Sequence, residues 1–180
     1  MREGSSREFA TKHHLKYAEP LVADGVTWRW GYAEDTPPVV QLVRKHIAGM
    51  ADYAAEDENS LMIAARDKSE AVIGGGVMML VRFKGLGTVM LLRLLVVEPE
   101  WRGRGVGVVT LGTLTQAAIE HAGQAPDLSL GNCSEDDAGF YQRAGFSVLE
   151  PGQDLPFPVA GGALLRLRSD SYPCWMCRPW

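Results

Sequence analysis

Leu95-Val96-Val97-Glu98-Pro99-Glu100-Trp101-Arg102-Gly103-Arg104-Gly105-Val106-Gly107 joins the end of an apolar run, Val89 to Val97, to a helix-like segment. Three glycines among the last six residues let backbone amides close on a ligand, and two arginines add positive charge at the same place. A helix that starts there points its unpaired first-turn N–H groups and the positive end of its dipole into the loop. The loop is therefore a cradle for an anion such as a phosphate or pyrophosphate. A Walker loop is excluded, because valines follow Gly105 and Gly107 where Gly-Lys-Ser or Gly-Lys-Thr is required. A dinucleotide-binding fingerprint needs glycine at position 108 or 110, and Val108 and Thr110 stand there.

A second signature follows downstream. Leu128-Ser129-Leu130-Gly131-Asn132 alternates like a short strand. Ser134 can cap the next helix, with Asp137 in the place of the capping-box acid. Phe140-Tyr141-Gln142-Arg143-Ala144-Gly145-Phe146 comes next, with Gly145 suited to end that helix in a left-handed conformation. Arg-x-x-Gly-x-Gly after a strand carrying Leu-Val-Val-Glu-Pro-Glu-Trp, followed by strand, short helix and Tyr-x-x-x-Gly-Phe, resembles the two acetyl-coenzyme A motifs of the GNAT superfamily of N-acetyltransferases. The resemblance covers Val89 to Phe146. It implies an α/β (α+β) fold with a central mixed, largely antiparallel sheet flanked by helices.

The chain has 180 residues, 46% of them hydrophobic and 22% charged, enough for one substantial core. A formal charge of −4 gives no general attraction to nucleic acid or to an anionic membrane. The apolar runs are shorter than a bilayer-spanning helix, and the charged N-terminus lacks the apolar core of a signal peptide, so a cytoplasmic protein is expected. Cys133, Cys174 and Cys177 make no even disulfide framework. Cys174-Trp175-Met176-Cys177 has the spacing of a redox or zinc pair, but no second soft-ligand pair exists to complete a zinc site, and prolines flank it. A plain terminal strand is the expected outcome, and no metal is assigned.

Along the chain, residues 1–25 are polar, lack a sustained period and predict a flexible N-terminal extension, with His13 and His14 as a solvated pair. The domain then runs over residues 26–180. Trp28 to Tyr32 alternates like a first strand. Asp35 or Thr36 can cap a helix whose first turn takes Pro37 and Pro38, and His46 packs on that helix. Leu61–Ala65 and Ala71–Phe83 predict a hairpin in which Gly74, Gly75 and Gly76 mark a bulge or a close backbone approach. The run to Val97 then completes a four-stranded meander, and Gly105 to about Ala122 is a deeply packed helix whose Gly112 predicts close contact with the sheet. Pro151 to Ser171, including Leu164 to Leu167, is an insertion before the last strand around Cys174 to Arg178.

Acetyl transfer to an amine needs a free amine, a polarised carbonyl and a protonated leaving thiolate. An alkylamine of pKa near 10.4 is only about one part in 10³ neutral at pH 7, a deficit of about 4–5 kcal/mol that a base must make good. Glu98, directly after the apolar strand, is the candidate base, alone or through water; its rival role is a solvated strand-end acid. By resemblance, the strand parts from its neighbour so that the pantetheine arm pairs with the backbone of Leu95 and Val97. Arg102, Gly103, Arg104, Gly105, Val106 and Gly107 hold the pyrophosphate, Asn132 bonds the arm and Tyr141 is the general acid. Histone-type relatives carry a glutamate where this chain has Leu91-Leu92-Arg93, so Arg93 either meets an acidic acceptor or lies at a solvated sheet edge.

The activity implied is transfer of acetyl from acetyl-CoA to a primary amine of a small molecule or protein. A noncatalytic acyl-CoA-binding sensor is the alternative. An amine acceptor is the expected partner, contacted by Ala48–Ser60 and Gly152–Ser171. A homodimer is the candidate assembly, with neither nucleic acid nor membrane as partner.

Overall fold

The computed structural model describes residues 4–31, 34–54, 60–83, 87–155 and 171–180, the first ten of them as backbone only. The alternating runs form strands β1 (Thr27–Trp30), β2 (Ser60–Arg66), β3 (Val72–Phe83) and β4 (Gly87–Val97), each antiparallel to the one before. β5 (Leu128–Cys133) joins β4 in parallel after the crossover helix α3 (Val106–Ala122), as a parallel connection requires. The last strand slots between β5 and the short β6 (Ser147–Val148): β7 (Cys174–Pro179) gives a seven-stranded sheet in the order β1-β2-β3-β4-β5-β7-β6. The sheet is thus mixed and largely antiparallel, with β4 at its centre.

Helix α2 (Thr36–His46) covers one face, burying Val39, Leu42 and Val43 against Ala64, Val77, Leu94 and Val96. Helix α3 and helix α4 (Glu135–Arg143) cover the other, where Leu111, Leu114 and Tyr141 pack with Met78, Met90, Leu92, Cys133 and Met176. The Gly74-Gly75-Gly76 run explains how closely both layers dock. A Cβ on Gly76 would lie 2.6 Å from Leu114 Cδ1 of α3, and one on Gly75 only 3.0 Å from Val39 Cγ2 of α2. Alternation along the strand hands each helix its own glycine contact.

At Asp35 the sequence predicts a helix cap, yet its side chain makes no cap hydrogen bond. Fully buried, it binds Arg66 and, at 3.2 Å, Arg29. Two guanidinium groups outcompete backbone amides for a carboxylate that has lost its water, because charge-assisted bonds are the stronger ones. The contact ties the start of α2 to β1 and β2. Ser134 does cap α4, accepting from Asp137 N at 3.2 Å, and Gly145, at φ +86°, ends it.

Two features depart from the sequence-based expectations. Instead of a flexible arm, Gly4–Ala23 forms helix α1, whose Tyr17, Ala18 and Leu21 pack with Val106 and Val109 of α3. The buried seam has helical spacing from His14 through Tyr17 and Ala18 to Leu21, but a histidine inside it and exposed Leu15 and Val22 outside it hide the period. His14 is accordingly half-buried rather than solvated. Gly112 serves this helix and not the sheet: a Cβ there would lie 2.1 Å from His14 Nδ1. Cys174 and Cys177 lie in β7 as the terminal strand predicts, and they point to opposite faces. The turn at residues 84–86, the acidic residues 55–59 and the insertion with Leu164 to Leu167 lie outside the described residues.

Candidate active site

The site starts where two strands part. β4 pairs with β5 at Val89↔Leu128, Met90↔Ser129 and Leu91↔Leu130 and no further, although both strands continue. Glu98 N donates to Ile73 O of β3 at 2.9 Å. Main-chain alternation therefore turns the N–H and C=O groups of Val97 and Leu95 the other way, toward β5. These groups face a gap where a sheet would otherwise have a partner strand.

A bulge sets which side chains flank that gap. Val77 pairs with Leu94 and Met78 with Leu92, so Arg93 is an extra residue in β4. Before it, Met90 and Leu92 face α3 and α4; after it, Leu95 and Val97 take that face while Leu94 and Val96 turn to α2. One inserted residue reverses the alternation. Arg93 itself lies on the central strand of the sheet, not at a solvated edge.

Past β4, a single helical turn, Pro99–Trp101, leads into the glycine loop. Gly103 and Gly105 adopt φ of +74° and +98°, conformations that glycine takes without steric cost. Gly105 occupies the cap position of α3 and no side chain caps the helix, so the N–H groups of Val106, Gly107 and Val108 have no partner within it. Val106 buries its side chain and can offer a ligand only its backbone. Gly107 leaves room beside the ring of Phe140 from α4, 3.4 Å from where a Cβ would sit.

The arginine side chains brace this loop. Arg102 Nε donates to Val97 O at 3.0 Å. Arg104 stacks over Trp101, 4.2 Å from the ring centre, and its Nη2 lies 3.4 Å from Asp24 Oδ2 just beyond α1. Tyr17 of α1 packs beneath Gly105, where a Cβ would come within 2.6 Å of the tyrosine ring. Nothing in residues 1–25 pointed to these contacts, because a loop is supported by whatever the tertiary fold brings beneath it.

On the far side of the gap, Tyr141 of α4 is buried, edge-on to Phe140 and Phe146 at ring distances of 4.9 and 5.8 Å. Burial, then the negative potentials of Asp137 and Cys133, push its phenol above the usual range, so it keeps its proton. Asn132 lies on β5 beyond the last β4 pair with its side chain exposed. The loop after α2 and the residues before β7 meet through a hydrogen bond from the Tyr172 hydroxyl to Ala48 O. The ends of the two segments expected to hold the acceptor are thereby brought together.

Glu98 is not a free strand-end acid. Its Oε2 lies 2.8 Å from His46 Nε2 and its Oε1 3.3 Å from Lys45 Nζ, both at the end of α2. Burial raises its pKa, but the hydrogen bonds from Lys45 and His46 prevail and hold the carboxyl below its ordinary range. His46 therefore does more than pack. Its connection to Glu98, 52 positions away in the chain, could be found only once α2 was placed across the sheet.

Residues 57–148, just over half of the chain, match the acetyltransferase (GNAT) domain family, and the chain belongs to that family. Solved structures share its fold. A GNAT-family acetyltransferase from Staphylococcus aureus Mu50 aligns with a TM-score of 0.60 and 12% identity over 86% of this chain and 98% of its own. The ribosomal-protein-S18-alanine N-acetyltransferase of Escherichia coli aligns with a TM-score of 0.60 and 14% identity, covering 86% of this chain and 93% of its own. The Escherichia coli GNAT-family protein YhbS, solved in complex with CoA, gives 0.57 and 23% identity over 68% of each chain. No curated protein matches the sequence.

Proposed function

We propose that this protein transfers an acetyl group from acetyl-CoA to a primary amine of a small molecule or protein. The observation that carries the proposal is the inner edge of β4 at Leu95 and Val97, which no strand pairs and where only Val97 O is met, by Arg102, leading into the uncapped start of α3. An extended pantetheine arm finds strand-like partners on that edge, and Gly103 to Gly107 receive the pyrophosphate with main-chain donors. Arg102 and Arg104 add positive charge, and Asn132 bonds the arm from β5. The E. coli neighbour solved with CoA supports this choice of donor.

In the reaction the amine nitrogen attacks the thioester carbonyl, a C–N bond forms, and the C–S bond breaks. A backbone N–H on the open edge of β4 polarises the carbonyl oxygen. Glu98 collects the amine's proton, directly or through water, and Tyr141 gives its proton to the departing thiolate. Donor and acceptor meet in one ternary complex in the cytoplasm.

Calorimetry with acetyl-CoA and thiol release across a panel of amines test the proposal together. Binding with amine-dependent thiol release is expected, and Tyr141→Phe should lower kcat by about 10²-fold while the coenzyme still binds. Binding without release from any amine would make the protein an acyl-CoA sensor. Absence of binding at millimolar acetyl-CoA would overturn both readings.

A further inference from the structure

Arg93 is the residue that acetyl transfer, as described so far, leaves unused. It is exposed, yet it sits on β4, the middle strand of seven, between residues that are buried. A central strand shows a charged side chain to solvent only where the layer covering it is open. The side chain lies on the α2 face, where its Nη1 is 3.0 Å from Met79 Sδ and its charge acts on the phenol of half-buried Tyr53. Among the described residues no carboxylate pairs with it, whereas Arg29, Arg66 and Arg104 each have one.

Its position along the strand matters as much as its charge. Two residues beyond the last β4–β5 pair, Arg93 stands at the mouth of the gap, level with exposed Asn132 on β5. The bulge that aims it at the α2 face also starts the open edge assigned to the acyl donor. Resting on the acetyl-transfer reading, we infer that Arg93 selects the acceptor: a small amine that also carries an oxyanion, a carboxylate or a phosphate, a few bonds from its nitrogen. A guanidinium fork pairs with either group in a bidentate way, which a neutral amine cannot reproduce.

The test compares matched acceptors that differ only in the anion: amino acids against their carboxamides, and phosphoethanolamine against ethanolamine. Thiol release should favour the anionic member of at least one pair by about tenfold or more in kcat/KM. Arg93→Gln should bring that ratio near one, mainly through KM, and Arg93→Lys should restore part of it. Calorimetry of the same amines with the CoA-loaded protein gives a readout that needs no turnover, and the favoured anionic amine should bind wild type and not Arg93→Gln. Thiol release with no anion preference, or a preference that survives Arg93→Gln, overturns the inference and leaves acetyl transfer standing. Failure to bind acetyl-CoA overturns both, and failure of the loaded protein to bind any anionic amine overturns the inference alone.

Discussion

At the scale of single residues, the glycine loop shows backbone and side chains dividing the work. Both arginines are already engaged, Arg102 with Val97 O and Arg104 with Trp101 and Asp24. Exposed charges of this kind contribute about 0.2–1 kcal/mol each, so Arg102→Ala or Arg104→Ala should weaken acetyl-CoA binding by no more than about fivefold. Gly105→Val meets two obstacles: a left-handed φ of +98°, and Tyr17 within 2.6 Å of the new Cβ. The conformation alone costs a branched residue about 1–2 kcal/mol or more. Titration with acetyl-CoA should therefore rank Gly105→Val, and Gly107→Val beside Phe140, as more damaging than either arginine variant. Much of this loop was legible from sequence, because glycine spacing, helix start and positive charge are local properties. The Tyr17 and Asp24 supports were not, since they come from α1 and the residue just after it.

At the scale of elements, the bulge in β4 carries more weight than any one of its contacts. Removing Arg93 altogether would restore simple alternation and leave Leu94 and Val96 facing α2 and Leu95 and Val97 facing α3, because the residue taken out is the extra one. Deletion of Arg93 should therefore keep cooperative unfolding in urea, as should Arg93→Ala, which keeps the extra residue. The hairpin, the meander and the helix after Gly105 were readable from periodicity and turn residues. The glycines, expected to mark a bulge or a close backbone approach, do serve close helix docking, whereas the bulge in β4 was not read from the sequence, because an extra residue there shows only against its partner strand. Helix α1 escaped for a related reason: its seam is narrow and includes a histidine.

Across the whole molecule, the buried layer beneath α4 should make the protein sensitive to alkali. Burial, and then Cys174 and Asp137, raise the Cys133 thiol from 9.0 to about 12, and burial raises the Tyr141 phenol in the same direction. The unfolded chain loses these protons first, so above about pH 9 it binds fewer protons than the folded protein, and stability falls as pH rises toward 12. Urea midpoints measured from pH 8 to pH 11 should decline, with a shallower slope in Cys133→Ala. The family, the order of the strands up to the glycine loop, and the positions of Gly105, Gly107 and Tyr141 were determined by sequence alone. They are written in short-range patterns: alternation, capping, and glycines where the chain must turn or admit a ligand. Only the tertiary structure decided that β4 and β5 part after Leu91, that His46 and Lys45 reach Glu98, and that Arg93, with no carboxylate partner among the described residues, is exposed at the centre of the sheet. Each of these joins residues far apart in the chain, and no local preference encodes which distant partner a side chain will meet when the layers close.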